Sequence, residues 1–437
     1  MTVFRSRRAV LPSGEQPADV VVEDGRVAAV EPYGSVRATE VVDLGVLALL
    51  PGLVDTHVHV NEPGRTSWEG FATATRAAAA GGVTTIIDMP LNCIPPTTTV
   101  ENLNLKRAAA ASSAHVDVGF WGGAIGENRG DLEKLHEAGV FGFKAFMSPS
   151  GVPEFPHLVD GLAETLAEVA RLGALCAVHA EDPDVLARAP APAGRSYAAF
   201  LRSRPPEAER AAVTRLVEAA RRTDARVHVL HVSSAQVVPL LDAARADGVH
   251  ITAETCPHYL CLAAEDIADG DTAAKCCPPI RGAANRDMLW QRLEAGGIDA
   301  VVSDHSPCPP ELKQLETGDY GAAWGGISGL QIGLSAVWTQ AWSRGYGLSD
   351  VAGWMASGPA AVVGLTAKGS LEAGMDADLV AFDPDAEFVV DPAELHHRSP
   401  VTAFAGRTLR GAVEDTWLRG ERVDGTHARG RLLERDS

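Results

Sequence analysis

The sequence has few of the features that mark secreted, membrane-spanning or nucleic-acid-binding proteins. Its 437 residues include only seven cysteines. An odd, scattered set of this kind is typical of reduced thiols in a cytoplasmic protein rather than of a disulfide framework. No apolar run approaches the roughly 20 residues that a membrane span requires. Residues 1–8 include three arginines, but no long apolar segment follows them, so we also expect no signal peptide.

Positive charge is scarce as well. Lysine and arginine number 38 against 57 acidic residues, which gives a formal net charge of −19 at pH 7. Phosphate backbones and anionic lipid surfaces repel such a chain. We therefore expect neither a nucleic acid nor a membrane as a partner. This charge does not argue against a small, nearly neutral substrate.

What the chain does have is a regular alternation of short apolar strands and helical segments through its middle. Eight strands are predicted, at 53–58, 83–89, 115–120, 140–146, 174–179, 226–232, 248–253 and 299–304. Helices are predicted in most of the gaps, for example at 68–80, 207–222 and 286–295. Eight such units predict an α/β fold with a (β/α)8 TIM barrel over residues 51–369. The β-like segments 1–50 and 370–437 are predicted to pair into one small β-sandwich domain.

Potential metal ligands stand at the ends of these strands, where the chemistry of such barrels is found. The first strand ends in His57 and His59, whose side chains point the same way because they lie two residues apart on an extended chain. Two imidazoles placed in this way can converge on one metal ion. Taken alone, the pair could equally be two ordinary polar residues leaving a strand.

Later strand ends supply further candidates, namely Lys144, His179, His231 and Asp304. Chance rarely marks the ends of five strands with such side chains, so we predict a metal site above the barrel. The remaining candidate histidines fit this pattern less well: His228, His250, His258 and His305. Of these, His228 alternates away from the face of His231 and is predicted to be structural.

Lys144 lies in an aromatic strand, between Phe143 and Phe146. A buried, unpaired ammonium is costly, so such a lysine has a lowered pKa and becomes a nucleophilic amine. A neutral amine can add carbon dioxide, and the resulting carbamate has two oxygens that can each hold one metal. The alternative is a structural lysine paired with a carboxylate.

Several stretches outside the ligand set form recognisable motifs, at residues 61–70, 88–97, 254–259, 275–281, 303–311 and 323–331. Together with the ligand pattern they resemble the cyclic amidohydrolase branch of the amidohydrolase superfamily, over about residues 50–380. That branch contains dihydroorotases, hydantoinases, dihydropyrimidinases and allantoinases. The motifs are most similar to those of the allantoinases.

Three departures separate this chain from the other members of the branch. Dihydroorotases carry an arginine that pairs with the substrate carboxylate two residues after the second histidine, where this chain has Asn61. The dihydroorotase asparagine before two prolines is replaced by Cys277, and the hydantoinase tyrosine that stabilises the oxyanion is replaced by Pro149. Allantoin is a hydantoin ring with a neutral ureido arm, so the missing carboxylate clamp is consistent with it.

The resemblance implies a hydrolase that opens the hydantoin ring of allantoin to allantoate in purine degradation. It implies two divalent metal ions, most often Zn²⁺, and these ligands: His57, His59, Lys144, His179, His231 and Asp304. The histidines of the first strand and Asp304 would hold one metal and the two later histidines the other, with Lys144 bridging as N6-carboxylysine. Asp304 would also transfer the proton. Active enzymes of this branch are commonly homotetramers, so we expect a homotetramer here.

Four further residues are predicted to contact the substrate: Asn92, His258, Ser306 and Gly325. Each could instead be an ordinary loop residue, and the pair Gly325–Gly326 could be needed only for a turn. The alternative activities are those of a hydantoinase or dihydropyrimidinase, and then of a dihydroorotase. A non-catalytic relative that uses the fold as a scaffold is the alternative from another class, and the intact ligand set argues against it.

Overall fold

The computed structural model describes residues 1–158 and 160–435. The N-terminal segment forms five strands: β1 (Thr2–Leu11), β2 (Gly14–Glu23), β3 (Arg26–Pro32), β4 (Glu40–Asp43) and β5 (Ala48–Pro51). Nine short parallel strands follow: β6 (Leu53–Val58), β7 (Val83–Asp88), β8 (Asp117–Phe120), β9 (Gly122–Gly123), β10 (Phe143–Phe146), β11 (Leu175–His179), β12 (Arg226–Val229), β13 (Ile251–Thr255) and β14 (Ala300–Val301). Three more strands come after them: β15 (Leu379–Val389), β16 (Thr408–Leu418) and β17 (Glu421–Arg422).

The parallel strands close into a barrel. They pair in chain order as two sheets, β6–β7–β8 and β9 to β14. β8 and β9 are one strand position interrupted at Trp121, which leaves eight positions. The amide of His59 donates to the carbonyl of His305 at 2.8 Å, and Val58 bridges His305 in parallel. The end of the eighth strand therefore lies beside the first, and the predicted (β/α)8 barrel is confirmed.

Helices cover the outside of the barrel. They are α1 (Phe71–Ala80), α2 (Val100–Ala110), α3 (Leu132–Glu137), α4 (Leu162–Arg171), α5 (Pro183–Arg188), α6 (Tyr197–Ser203), α7 (Pro206–Thr223), α8 (Val238–Ala246), α9 (Pro257–Cys261), α10 (Ala283–Glu294), α11 (Gly333–Ser343), α12 (Leu348–Ala352) and α13 (Gly358–Val363). The first begins three residues later than predicted, because the Glu62 carboxylate accepts a hydrogen bond from the amide of Phe71 at 3.0 Å and caps the helix there. Within the described residues, no helix has the length and apolar character needed to cross a bilayer.

The two ends of the chain form one mixed sheet of eight strands, in the order β17-β16-β15-β5-β1-β2-β3, with β4 beside β1. Leu50 of β5 pairs with Val380 of β15, which joins the N-terminal and C-terminal parts. Side chains from several of these strands share a core that includes Phe4, Leu49 and Trp417. The sheet built from both ends agrees with the predicted fold class, whereas the domain boundaries at 50 and 370 stay a prediction.

A buried ion cluster ties the bottom of the barrel to this sheet. Asp117, the first residue of β8, accepts hydrogen bonds from Lys368 Nζ at 2.8 Å and from Arg419 Nη1 at 2.7 Å. Lys368 also donates to Asp378 at 2.8 Å. Because Asp117 stands at the amino end of its strand, the cluster lies at the opposite end of the barrel from the strand ends that carry the candidate ligands.

Candidate active site

A cavity of about 260 Å³ lies at the carboxyl ends of the barrel strands. Five of the six predicted metal ligands line it: His59, Lys144, His179, His231 and Asp304. The sixth, His57, is fully buried just behind them, with its Nε2 3.2 Å from Asp304 Oδ1 and 3.3 Å from Lys144 Nζ. The structure therefore brings together the whole predicted set from five different strands.

The first group of donors converges on Asp304. Nε2 of His59 lies 3.5 Å from Asp304 Oδ1, the same oxygen that faces His57. The rings of His57 and His59 lie 5.4 Å apart between centroids. Their common direction is what the two-residue spacing on β6 predicts.

The second group is the pair His179 and His231. Nδ1 of His179 lies 3.0 Å from Nε2 of His231. The potential ligand atoms of His57, His231 and Asp304 all lie within 4.8 Å of one another. The two groups of donors therefore share one space.

Two of the candidate ligands lie on strained backbone. His231 and Asp304 have φ of 37° and 45°, a left-handed conformation that costs a residue other than glycine about 1–2 kcal/mol. The chain is held immediately after each of them. The amide of Val232 donates to the carbonyl of Glu254 at 2.7 Å, and the amide of His305 donates to Ser303 Oγ at 3.0 Å. Strain that persists in this way is typical of functional sites.

Burial sets the charges of the site. It lowers the pKa of His59 to about 4 and that of His231 well below its ordinary value, so both rings are neutral and can bind a metal. Burial also lowers the pKa of Lys144 to about 8, although nearby carboxylates oppose it. For Asp304, burial alone would raise the pKa, but the imidazoles of His57, His59 and His231 outweigh it and hold the pKa well below its usual range. Asp304 is therefore an ionised carboxylate.

Sequence reasoning missed the carboxylate that orients His57. Glu254, on β13, is 1% exposed, and its Oε1 lies 2.5 Å from Nδ1 of His57. Its Oε2 lies 3.0 Å from Nε2 of His228, whose Nδ1 lies 2.7 Å from Thr252 Oγ1. A carboxylate that accepts from Nδ1–H leaves the lone pair of His57 Nε2 directed at Lys144. His228, predicted to be structural, is thus connected to the site through Glu254.

A second buried carboxylate, Glu181, orients His179. Its Oε2 lies 2.8 Å from Nε2 of His179, while Arg204 donates from Nε to Oε1 at 3.0 Å and from Nη2 to Oε2 at 2.5 Å. Burial would raise the pKa of Glu181, but Arg204 and His179 outweigh it and hold the pKa far below its usual range. The ionised carboxylate accepts from Nε2–H, so Nδ1 of His179 carries the lone pair that faces His231.

For one of these two carboxylates, Glu181, the sequence contains a signal. Glu181 follows His179 by two residues, the same spacing as His57 and His59. Alternation with His231 predicts a structural role for His228, but β12 ends at Val229 and the left-handed backbone at His231 changes the direction of the His231 side chain. Alternation applies only within a strand, so His228 and His231 can belong to the same site.

These donors fit divalent metal ions. Imidazole nitrogens and carboxylate oxygens are the usual ligands of zinc and related borderline metals. Nδ1 of His179 carries a lone pair, and the facing Nε2 of His231 is only 3.0 Å away, an arrangement that a cation between the rings would stabilise. Among the described residues, the buried Nδ1 of His231 has no hydrogen-bond partner.

Three of the four predicted substrate contacts line the cavity: Asn92, Ser306 and Gly325. His258 does not line it. Its ring is fully buried on α9, and one of its nitrogens lies within 4.8 Å of both the Asp304 carboxylate and Cys256 Sγ. This places His258 beside Asp304, so its contact with a substrate stays a prediction that its position does not support.

The residues that distinguish this chain from other members of the branch also have defined places. Pro149 and Cys277 line the cavity. Asn61 is fully buried and donates from Nδ2 to the carbonyl of Pro307 at 3.1 Å. Asn61 is an uncharged amide, so this position offers no cation for a substrate carboxylate.

Comparison with known proteins agrees with this architecture. Residues 48–423 match the model of the Amidohydrolase family. A protein named Allantoinase from Streptomyces avermitilis is 57% identical over 441 residues, which cover 99% of this chain and 98% of that protein. Another protein named Allantoinase, from Saccharomyces cerevisiae, is 47% identical over 86% of this chain and 82% of its own.

Among solved structures, the L-hydantoinase (dihydropyrimidinase) from Arthrobacter aurescens superposes with a TM-score of 0.90 at 32% identity. The match covers 100% of this chain and 98% of that one. The barrel and the sheet built from both chain ends are therefore shared with a solved hydantoinase structure. The chain belongs to the amidohydrolase family, in the cyclic amidohydrolase branch that includes the allantoinases and hydantoinases.

Proposed function

We propose that this enzyme hydrolyses allantoin to allantoate. The observation that carries the proposal is the 57% identity, over nearly the whole of both chains, to a protein named Allantoinase. The cavity is consistent with it, because a neutral substrate needs no cation where Asn61 stands. The reaction would be a step of purine degradation.

We propose two divalent metal ions in the site, most simply Zn²⁺. His57, His59 and Asp304 would hold the more buried ion, and His179 and His231 the other. Lys144 would bridge them after adding carbon dioxide to its amine, and its burial supports this because a pKa of about 8 makes the neutral amine accessible near physiological pH. When bound, such a metal pair lowers the pKa of water and polarises the substrate carbonyl.

Asp304 is the proposed catalytic residue. It is ionised, and it lines the cavity beside the metal donors. As water adds to the ring carbonyl carbon, the Asp304 carboxylate accepts a proton from it and then delivers the proton to the ring nitrogen as the carbon–nitrogen bond breaks. The carbonyl carbon becomes a carboxylic acid, which releases its remaining proton to solvent as a carboxylate, and the nitrogen becomes the amide end of a second ureido group. That nitrogen lies between two carbonyls, which makes it easier to expel than an ordinary amide nitrogen.

The proposed substrate contacts are Asn92, Ser306 and Gly325, which supply polar groups around the metal donors. Glu254 and Glu181 are proposed to be positioning residues that act through the histidine ligands. Each fixes the tautomer of a histidine ligand so that its lone pair faces the metal.

A hydantoinase or dihydropyrimidinase is the second candidate, because the Arthrobacter aurescens structure covers the whole chain. Steady-state assays with allantoin, hydantoin, dihydrouracil and dihydroorotate distinguish the candidates. Allantoin is expected to have the highest kcat/KM, and a higher value for any other ring would refute the proposal. Metal analysis after reconstitution with bicarbonate tests the non-catalytic alternative, for which no divalent metal would bind.

Three expectations stay predictions. They are a homotetramer, a cytoplasmic location and the division into a sandwich of residues 1–50 and 370–437 around a barrel of residues 51–369. Size measurement in solution, fractionation of the source cells and limited proteolysis would test them in turn.

A further inference from the structure

One wall of the cavity consists of Trp324 and the two glycines that follow it, Gly325 and Gly326. Gly325 is already a proposed substrate contact, whereas Trp324 has no role in the hydrolysis proposed above. Apart from histidines, the described residues that line the cavity include two aromatic side chains, Phe146 and Trp324. The ring of Phe146 is already stacked on His179, with centroids 4.6 Å apart and planes at 17°. Among the described residues, no ring is stacked on Trp324, although the guanidinium of Arg65 lies 6.0 Å from the centroid of its ring.

The backbone of this wall is held rigidly on both sides. Nζ of Lys275 donates to the carbonyl of Ala323 at 2.5 Å, and Nζ of Lys313 donates to the carbonyl of Gly326. These lysines are only 8% and 1% exposed, and among the described residues their Nζ atoms donate to carbonyl oxygens rather than to a carboxylate. Burying an ammonium against carbonyl oxygens alone is costly. Buried lysines of this kind are expected where they hold the backbone of a ligand-binding surface in one conformation.

The indole ring is also held in orientation. Trp68 packs edge-on against it, with centroids 5.2 Å apart and planes at 76°, and the guanidinium of Arg65 lies 4.6 Å above the Trp68 ring. A Cβ added at Gly151, on the loop after β10, would lie 3.8 Å from Cη2 of Trp324. The ring is thus fixed at its edge and bounded at its tip.

Space is left beside the ring, at Gly325. A Cβ built on Gly325 would find its nearest neighbour, Cys277 Sγ, 3.7 Å away. The position could therefore accommodate a side chain without a clash, and glycine leaves that volume open to the cavity. A planar group lying next to Trp324 would have room there.

We propose that Trp324 is a specificity-determining residue whose indole ring binds the planar ureido arm of the substrate. The inference rests on the proposed function. The arm is attached to the ring carbon next to the reacting carbonyl, so a substrate whose carbonyl lies at the metal donors must place its arm in the same 260 Å³ cavity. The face of an aromatic ring carries negative charge density and attracts N–H groups, of which a urea has several.

The test compares a substrate that has the arm with a ring that lacks it. In the full-length, metal-loaded enzyme, Trp324→Leu is expected to raise the KM for allantoin about tenfold and to change kcat less than about threefold. The competitive inhibition constant of hydantoin, which has no arm, should stay within about twofold. Trp324→Phe keeps an aromatic face and should raise the KM at most about threefold. Trp342→Leu, on the surface under Arg410, is the matched control and should change nothing.

Equal weakening of allantoin and hydantoin would overturn the proposal, because Trp324 would then contact the ring. An unchanged KM, or a lower kcat at constant KM, would overturn it as well. If Trp324→Leu does not fold, Trp324→Met fills the space without a planar face and is expected to give the same result. A wild-type enzyme that turns over hydantoin but not allantoin would refute the proposed function, and this inference with it.

Discussion

Removing the negative charge of Glu254 should weaken metal binding much more than it destabilises the fold. The substitution Glu254→Gln keeps the size of the side chain and an oxygen that can accept from His57 Nδ1. It removes the charge from a hydrogen bond that is 2.5 Å long and shielded from water, since Glu254 is 1% exposed. Hydrogen bonds to charged groups are worth about 1.5–3 kcal/mol. If that energy supports the metal-binding tautomer of His57, metal affinity should fall about 10- to 100-fold.

The assay is equilibrium dialysis of the purified enzyme against zinc buffered by a chelator, with the bound metal measured by mass spectrometry. Activity at saturating zinc is measured in parallel. We expect a lower zinc affinity for Glu254→Gln, with most of the activity regained when zinc is in excess. The unfolding temperature without metal should change little in comparison.

Asp117→Asn is the matched control. Asp117 is as buried as Glu254, but its partners Lys368 and Arg419 lie at the other end of the barrel. Breaking such a buried ion pair should cost about 3–5 kcal/mol of stability and leave zinc affinity unchanged. A Glu254→Gln enzyme that binds zinc within about twofold of wild type would refute the role assigned to Glu254. A parallel loss of zinc in Asp117→Asn would show that the effect follows from general destabilisation.

Three further outcomes follow from the same structure. Lys144→Ala should lose about three orders of magnitude in kcat/KM because the proposed bridge between two metals is removed, and short carboxylates should partly restore activity; near-normal activity in plain buffer would contradict the proposed bridge. Because the pKa of Lys144 is about 8, reactivation of the metal-free enzyme at fixed dissolved carbon dioxide should speed up about tenfold per pH unit and level off above pH 8, whereas a rise that continues through pH 10 would indicate an ordinary lysine. The guanidinium of Arg5 lowers the pKa of Asp19 from 3.8, so Asp19→Asn should cost about 2 kcal/mol of unfolding free energy above pH 5. That difference should disappear as the pH falls through 3.8 and below, since a depressed folded-state pKa stabilises only while the group is ionised, and the exposed Glu23→Gln is the control in denaturant titrations.

Much of the barrel could be predicted because each unit is a local pattern. The predicted strand 53–58 has the observed bounds, and the helix predicted at 207–222 runs over Pro206–Thr223. The predicted ends of an element were wrong where a residue outside that element determines them. Helix α1 begins at Phe71 because Glu62 caps it from a loop, and no periodicity within the helix contains that information.

Residues that act through another side chain were harder to predict than potential ligands. A histidine at the end of a strand is conspicuous because the strand end marks the functional face of the barrel. A buried glutamate is conspicuous only when its partner is known. Glu254 lies on β13 and His57 on β6, so their hydrogen bond spans the barrel and joins residues 197 positions apart. Sequence spacing carries no trace of such a pair.

The contrast between the two carboxylates therefore has a physical origin. Glu181 orients His179 from two residues away on one segment, and this pairing can form whenever that segment is extended. Glu254 can orient His57 only after the strands between them have closed into a barrel, because the bond crosses from the first strand to the seventh. The proposed metal site at His57 therefore forms only when the whole barrel has closed. In the second proposed site, His179 is oriented by a neighbour on its own segment. In graded denaturant, a metal bound at the proposed ligands His57 and His59 should accordingly be released with barrel opening, and retention of that metal after the parallel strands have separated would contradict this account.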